Sequence, residues 1–261
     1  MNTLEQNHTD QQEQNLQRRI ERLETLYANK IKELDKFAYI ASHDLKEPLN
    51  TILSFAKILK AGYADKLDER GEKCIHYIDE AVLRLIERIN ALRSLSKVGS
   101  DIVLDEVNIL DIVRHSIENL EQENPAFKAE FELPENKAIV GSETELILFF
   151  EELIRNAQKF QDPASSPSIK ISVQENAKYH LISVQDNGIG IPEKHYEKIF
   201  ELFQQLHNRG DYPGIGTGLT KCKKVAELHN GFLEVQSTLG EGSTFTLGID
   251  KSLSPTRTNQ E

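Results

Sequence analysis

The stretch Ser42-His43-Asp44-Leu45-Lys46-Glu47-Pro48-Leu49 lies inside an apolar rhythm of helical period. About 140 residues further on stand Asp186-Asn187-Gly188-Ile189-Gly190 and Gly214-Ile215-Gly216-Thr217-Gly218-Leu219. The first stretch offers an imidazole beside a carboxylate on an amphipathic helix, and the two later ones offer backbone suited to holding a nucleotide. Working outward from His43, apolar residues fall at Leu16, Ile20, Leu23, Tyr27, Leu34, Phe37 and Ala41, a 4-3 spacing that Lys30 interrupts. This spacing predicts a helix with a coiled-coil seam over 16–36, preceded by a polar, disordered lead over 1–15.

Glycine and polar residues between Gly62 and Gly71 break the pattern, which then resumes through Ile75, Ile78, Val82, Leu85, Ile89 and Leu92. Two amphipathic helices joined by a short loop predict an all-α helical hairpin over 37–99. One hairpin cannot enclose two apolar stripes, so the expected form is a homodimer closing a four-helix bundle. After Lys97-Val98-Gly99-Ser100 the texture changes. Helical patterns over 109–123, 143–160 and 219–229 mix with strand-like runs over 128–133, 168–174, 178–185, 231–237 and 243–249. That mixture predicts an α/β sandwich over 101–250, with helices on one face of a mixed sheet and an unstructured tail over 251–261.

Composition narrows the function. The chain of 261 residues has a formal net charge of −11, which argues against a nucleic-acid partner, because binding of a phosphate backbone rests on a lysine and arginine surface. Long apolar runs are absent and the first 15 residues are polar, unlike a signal peptide, so the expectation is a cytoplasmic protein without membrane insertion. Cys74 and Cys222 are isolated and lack metal-binding spacing, which predicts reduced, structural thiols.

Extending the first heptad register places His43 two residues past the seam residue Ala41, on the solvent-facing flank. A neutral imidazole has one N–H and one lone-pair nitrogen. The carboxylate of Asp44 is placed to take the N–H, leaving the other nitrogen free to attack phosphorus. Pro48 removes a backbone donor and is expected to kink or loosen the helix just beyond. None of His8, His76, His115, His180, His195, His207 and His229 combines a neighbouring acid with a nearby proline.

Helical spacing puts Glu152, Asn156 and Lys159 on one face, at i, i+4 and i+7. Asn156 offers a carbonyl oxygen to Mg²⁺, Glu152 is a candidate second ligand, and Lys159 supplies a cation for phosphate oxygens. Asp186 closes a strand, where its carboxylate can accept from an exocyclic amine such as that of adenine. Gly188 and Gly190 let the chain turn beneath the base. Gly214, Gly216 and Gly218 precede a helix whose free N–H groups can meet phosphates. No Walker-type loop occurs, and the spacing Gly214-x-Gly-x-Gly does not fit a Rossmann turn.

In this order the segments resemble the sensor histidine kinases of two-component signalling, whose catalytic domain is an ATPase of the Bergerat type. The resemblance covers about 37–248: an H box at Ser42 to Leu49, an N box at Glu152 to Phe160, glycine boxes at Asp186 to Gly190 and Gly214 to Leu219, and an F box at Ile199 to Phe203. The F-box region and the Glu47-Pro48 step look most like the phytochrome-type branch. The resemblance implies that His43 takes the phosphoryl group of ATP with Mg²⁺ and passes it to an aspartate on a response regulator receiver domain. It implies that Phe160 and Leu219 belong to the nucleotide site, and that the segment from Phe203 to Gly214 is a lid with Arg209 as a phosphate contact. The region over 16–36 resembles a signalling helix, or a docking segment for a separate sensor protein.

Two residues depart from the family pattern. Glu152 stands where such kinases usually carry asparagine, and the wider ATPase superfamily uses a glutamate there as a general base. This keeps open a dimeric ATP-binding scaffold, or pseudokinase, and a conformational ATPase. Glu47 stands where strong phosphatases carry threonine or asparagine, which implies weak phosphatase action.

Overall fold

A computed structural model describes residues 2–63, 66–124, 127, 129–162, 165–206, 212 and 214–256, with side chains described only in part before Tyr39. The chain divides into two compact units, Met1–Ser100 and Asp101–Glu261.

The first unit is a helical hairpin of α1 (Asn2–Gly62) and α2 (Glu69–Lys97). The lead over 1–15, expected to be disordered, is helical from Asn2 onward. The physical reason lies in its composition: glutamine, glutamate and leucine are good helix formers, and neither glycine nor proline occurs before Pro48. The seam expected at Leu16, Ile20, Leu23, Tyr27, Leu34 and Phe37 falls on side chains outside the described ones. The helix continues through Pro48, which offers no N–H to the Asp44 carbonyl one turn earlier. Asp68 starts α2 by accepting the Gly71 N–H on Oδ1 at 2.8 Å, an N-cap worth about 1 kcal/mol. Arg93 of α2 lies 4.6 Å from the centre of the Tyr39 ring of α1, a cation–π contact that ties the two helices near the histidine segment.

The two halves of the α2 heptad have different fates. Ile75 and Val82 are 6% and 5% exposed, whereas Ile78, Leu85 and Leu92 are 43%, 47% and 45% exposed. The hairpin buries one seam and leaves the other on its surface, and Ile52, Phe55, Ile58 and Leu59 of α1 are exposed as well.

The second unit is an α/β sandwich: β1 (Asp105–Asn108), α3 (Ile109–Glu123), β2 (Glu130–Glu132), β3 (Ala138–Gly141), α4 (Glu143–Lys159), β4 (Ser168–Glu175), β5 (Tyr179–Asp186), α5 (Gly218–Leu228), β6 (Phe232–Thr238) and β7 (Gly242–Asp250). Five strands form one sheet in the order β2-β4-β5-β7-β6, with β2 parallel to β4 and the other pairs antiparallel. Ile169, Ile171, Ile182, Val184, Phe245, Leu247 and Ile249 alternate along the three central strands and are buried. The opposite face carries Ser172, Ser183 and Thr246 in register, with the Ser183 and Thr246 hydroxyls 3.0 Å apart. Period-2 alternation therefore gives the sheet one apolar and one polar face. The buried residues of α3, α4 and α5, among them Ile112, Phe149, Phe150 and Val225, complete the core.

Two elements had no counterpart in the sequence patterns. Among the described residues the four-residue strands β1 and β3 pair only with each other, from Asp105 opposite Gly141 to Asn108 opposite Ala138. The described part of the tail is tied back at Thr256, whose amide donates to the Leu104 carbonyl at 2.7 Å and whose Oγ1 accepts the Leu104 N–H at 3.0 Å. Residues 257–261 lie outside the described ones.

Candidate functional site

The buried stripe Leu146, Phe149, Phe150, Leu153, Ile154 and Ala157 fixes the rotation of α4. Glu152, Asn156 and Lys159 are thereby set along the wall of one cavity of about 300 Å³. The same cavity takes in Phe160, Asp186, Gly190, Gly214, Gly216, Gly218 and Leu219, so residues from three distant segments meet in one place. Gly188 stands behind the wall. A Cβ there would lie 2.7 Å from the Phe160 carbonyl oxygen, and the next amide, that of Ile189, donates to that oxygen at 2.9 Å. The turn after β5 is thus pinned onto the end of α4. Gly190 has φ of +71° and abuts the Thr238 carbonyl, a position that only glycine occupies without strain.

Asp186 ends β5 at the cavity wall. Its Oδ1 accepts the Gly188 N–H at 2.8 Å and the Ser243 N–H at 3.2 Å. Burial pushes the carboxyl above the usual carboxylate range, and the two backbone donors pull partly against that. Its Oδ2 has no protein donor among the described residues, which leaves an acceptor for a ligand amine.

At the other end of the cavity Lys159 lies 4.5 Å from the Phe160 ring centre, and burial lowers its pKa. A Cβ on Gly214 would fall 2.6 Å from the Lys159 ammonium, so the glycine loop and this cation lie face to face. Gly218 opens α5, and Thr217 ahead of it makes no side-chain capping bond, so among the described residues the first N–H groups of α5 have no side-chain cap. Gln205 Nε2 donates to the Gly214 carbonyl at 2.6 Å, and the Phe203 N–H donates to the Gly216 carbonyl at 2.8 Å, which ties the F-box segment to the glycine loop.

Two residues at or beside the cavity escaped the sequence patterns. Lys221, one turn into α5, forms an ion pair with Glu152, Nζ to Oε1 2.6 Å, with side chains 14% and 17% exposed. Tyr212 lines the cavity and packs against Phe160 with ring centres 5.1 Å apart. No spacing rule connects positions 152 and 221, which meet only through the packing of α4 on α5. Arg209 lies outside the described residues. Among the described residues no group of three or more histidine, cysteine or acidic side chains could hold a metal by itself.

His43 and Asp44 belong to the hairpin unit, on α1. Ser42 is buried while His43 and Asp44 are exposed, and His43 Nδ1 lies 3.4 Å from Asp44 Oδ1, a long hydrogen-bond contact. Cys74 is exposed and Cys222 buried, both free. Among the described residues no helix is long and apolar enough to cross a membrane.

Comparison with known proteins agrees with this arrangement. Residues 33–101 match the His Kinase A (phospho-acceptor) domain, and residues 141–253 match the histidine kinase-, DNA gyrase B-, and HSP90-like ATPase. The phytochrome-like protein Cph1 of Synechocystis sp. is 37% identical over 218 residues, which are 83% of this chain and 29% of that protein. The circadian input-output histidine kinase CikA of Synechococcus elongatus is 30% identical over 224 residues, 82% of this chain and 29% of its own length. The chain thus spans less than a third of these relatives. Among solved structures, full-length ShkA in complex with AMPPNP superposes with a TM-score of 0.55 at 22% identity, covering 85% of this chain and 47% of that one, a likeness of fold. With a phospho-acceptor domain followed by an ATPase domain of the same type, the chain belongs to the histidine kinase family.

Proposed function

We propose that the chain is an ATP-dependent histidine autokinase: it binds ATP in the cavity of its second unit, phosphorylates His43 and passes the phosphoryl group to an aspartate of a response regulator receiver domain. The observation that carries the reading is the pairing of an exposed, acid-backed His43 on α1 with a cavity whose one end offers the Asp186 carboxylate and whose other end offers Lys159 and the free start of α5. Asp186 accepts the adenine amine through Oδ2, and the N–H groups at the start of α5 with Lys159 hold the phosphates. Asn156 supplies the hard oxygen that suits Mg²⁺, whereas Glu152 fits that role poorly because Lys221 already holds its Oε1. When bound, Mg²⁺ offsets the negative charge that builds on the phosphate oxygens.

With Nδ1–H directed at Asp44, the lone pair on Nε2 of His43 attacks the γ-phosphorus in line. The bond from phosphorus to the bridging oxygen breaks, and ADP leaves with the electron pair. The resulting P–N bond is reactive enough that onward transfer to a carboxylate needs mainly alignment. The exposed stripe of Ile78, Leu85 and Leu92 supports a homodimer closing a four-helix bundle. The helix over 16–36 serves as the route for an upstream or separate sensor. A scaffold that binds ATP without transfer is not favoured, since both the acceptor and the ATPase families match. Mixing the labelled chain with receiver domains tests the pathway: label is expected to leave the chain for a receiver aspartate, and label that stays on the chain with every receiver would contradict it.

A further inference from the structure

Glu152 is the one carboxylate on the α4 wall of the cavity, and both its oxygens are directed at the first turn of α5. Oε1 lies 2.6 Å from Lys221 Nζ, and Oε2 lies 2.7 Å from where a Cβ on Gly218 would stand. Gly218 opens the helix whose free N–H groups are the natural seat of phosphates. A carboxylate beside a phosphate seat is positioned to take a proton from water: the water oxygen bonds to the γ-phosphorus, the bond to the bridging oxygen of ADP breaks with its electron pair on ADP, and the carboxylate receives the proton. That reaction would waste the phosphoryl group intended for the histidine.

Lys221 stands against this outcome. It does not line the cavity, so it touches no substrate and acts through Glu152 alone. Its ammonium fills the lone-pair direction of Oε1 with a charge-assisted bond in a site that is largely closed to solvent. Oε2 is meanwhile packed against the glycine backbone. We propose that Lys221 is a positioning residue that keeps Glu152 from serving as a general base on water, so that bound ATP retains its γ-phosphoryl group for transfer. The proposal rests on the ATP-binding reading above.

The test measures three quantities on the full chain with ATP and Mg²⁺: phosphate release, ATP affinity and label on His43. Lys221→Met is expected to raise phosphate release about 10-fold or more, the lower part of the range for general-base assistance. Adding Glu152→Gln to that variant is expected to abolish the rise, and Lys221→Arg to keep release low. Should the methionine variant lose its thermal transition, Lys221→Gln, which keeps a donor on Oε1 without the charge, gives the same comparison with an intermediate rise. Release that stays at the unsubstituted level in a folded, ATP-binding Lys221 variant would overturn the proposal, as would a rise that persists in the double variant. Failure of the unsubstituted chain to bind ATP would instead remove the ATP-binding reading, and this proposal with it.

Discussion

The Gly188 amide donates to Asp186 Oδ1 at 2.8 Å, so the residue that ends β5 is oriented by the turn that follows it. One carboxylate oxygen is spent on the fold and the other is left for a ligand. Replacing Asp186 by Asn keeps the size but removes the charged acceptor, a bond worth about 1.5–3 kcal/mol. ATP affinity is expected to fall roughly 10- to 100-fold, read by nucleotide titration; equal affinity in the variant would remove Asp186 from the site.

The pH dependence of the same interaction follows from the sign of the shift. Burial raises the Asp186 carboxyl above its ordinary value, and an amine donor requires the ionised acceptor. ATP binding should therefore weaken as pH falls through this raised value, earlier than an exposed carboxylate would allow. In Asp186→Asn that acid limb is expected to vanish.

His229 gives a separate pH signature, in stability. It is fully buried, donates from Nδ1 to the Val225 carbonyl at 2.8 Å and accepts the Ser142 N–H on Nε2 at 2.9 Å, so the neutral ring joins the end of α5 to the start of α4. Burial lowers its pKa. A base whose folded value lies below its unfolded value of about 6.5 favours folding fully above that pH, and the gain is lost as pH falls toward the folded value. The second unit should lose thermal stability progressively below about pH 6.5. The His229 ring signal in NMR should titrate lower than a free histidine, and a normal titration would contradict the packing.

Most of the second unit could be read from sequence because its elements carry strong periodicity. The buried stripe of α4 repeats at helical spacing, and the runs that became β4, β5 and β7 alternate cleanly. β1 and β3 were not readable: Asp-Glu-Val-Asn and Ala-Ile-Val-Gly are too short to show a period, and their pairing spans some thirty residues. The helical lead shows no apolar period, and its helix follows instead from the propensity of Gln and Glu. The site residues on glycine-marked turns and on α4 were visible as motifs. Lys221 and Tyr212 were not, since Tyr212 reaches the cavity, and Lys221 reaches Glu152, through tertiary packing that no local pattern encodes.

Dimer formation is tested at the exposed α2 seam. Leu85→Lys places a charge in the centre of the stripe formed with Ile78 and Leu92, where burial of an unpaired ammonium is costly. Light scattering is expected to show a dimer for the unsubstituted chain and a monomer for the variant, with ATP affinity retained. A variant that remains dimeric would move the interface elsewhere.

Glu47 lies four residues after His43 on α1, with its backbone carbonyl accepting from Thr51 Oγ1 at 3.0 Å. Its acidic side chain is unsuited to orienting water toward a receiver acyl phosphate, because it would add a like charge there. Slow loss of phosphate from a phosphorylated receiver is expected in the presence of the chain without nucleotide. Rapid loss would contradict this.

The central claim is that His43 accepts the phosphoryl group held in the second unit. The direct measurement is incubation of the purified chain with γ-labelled ATP and Mg²⁺, followed by acid and alkali treatment of the labelled protein. The account predicts label that survives alkali, is lost in acid and is absent from His43→Gln, while that variant still binds ATP. Label that persists undiminished in His43→Gln, or ATP bound by the unsubstituted chain with no label on protein, would contradict it.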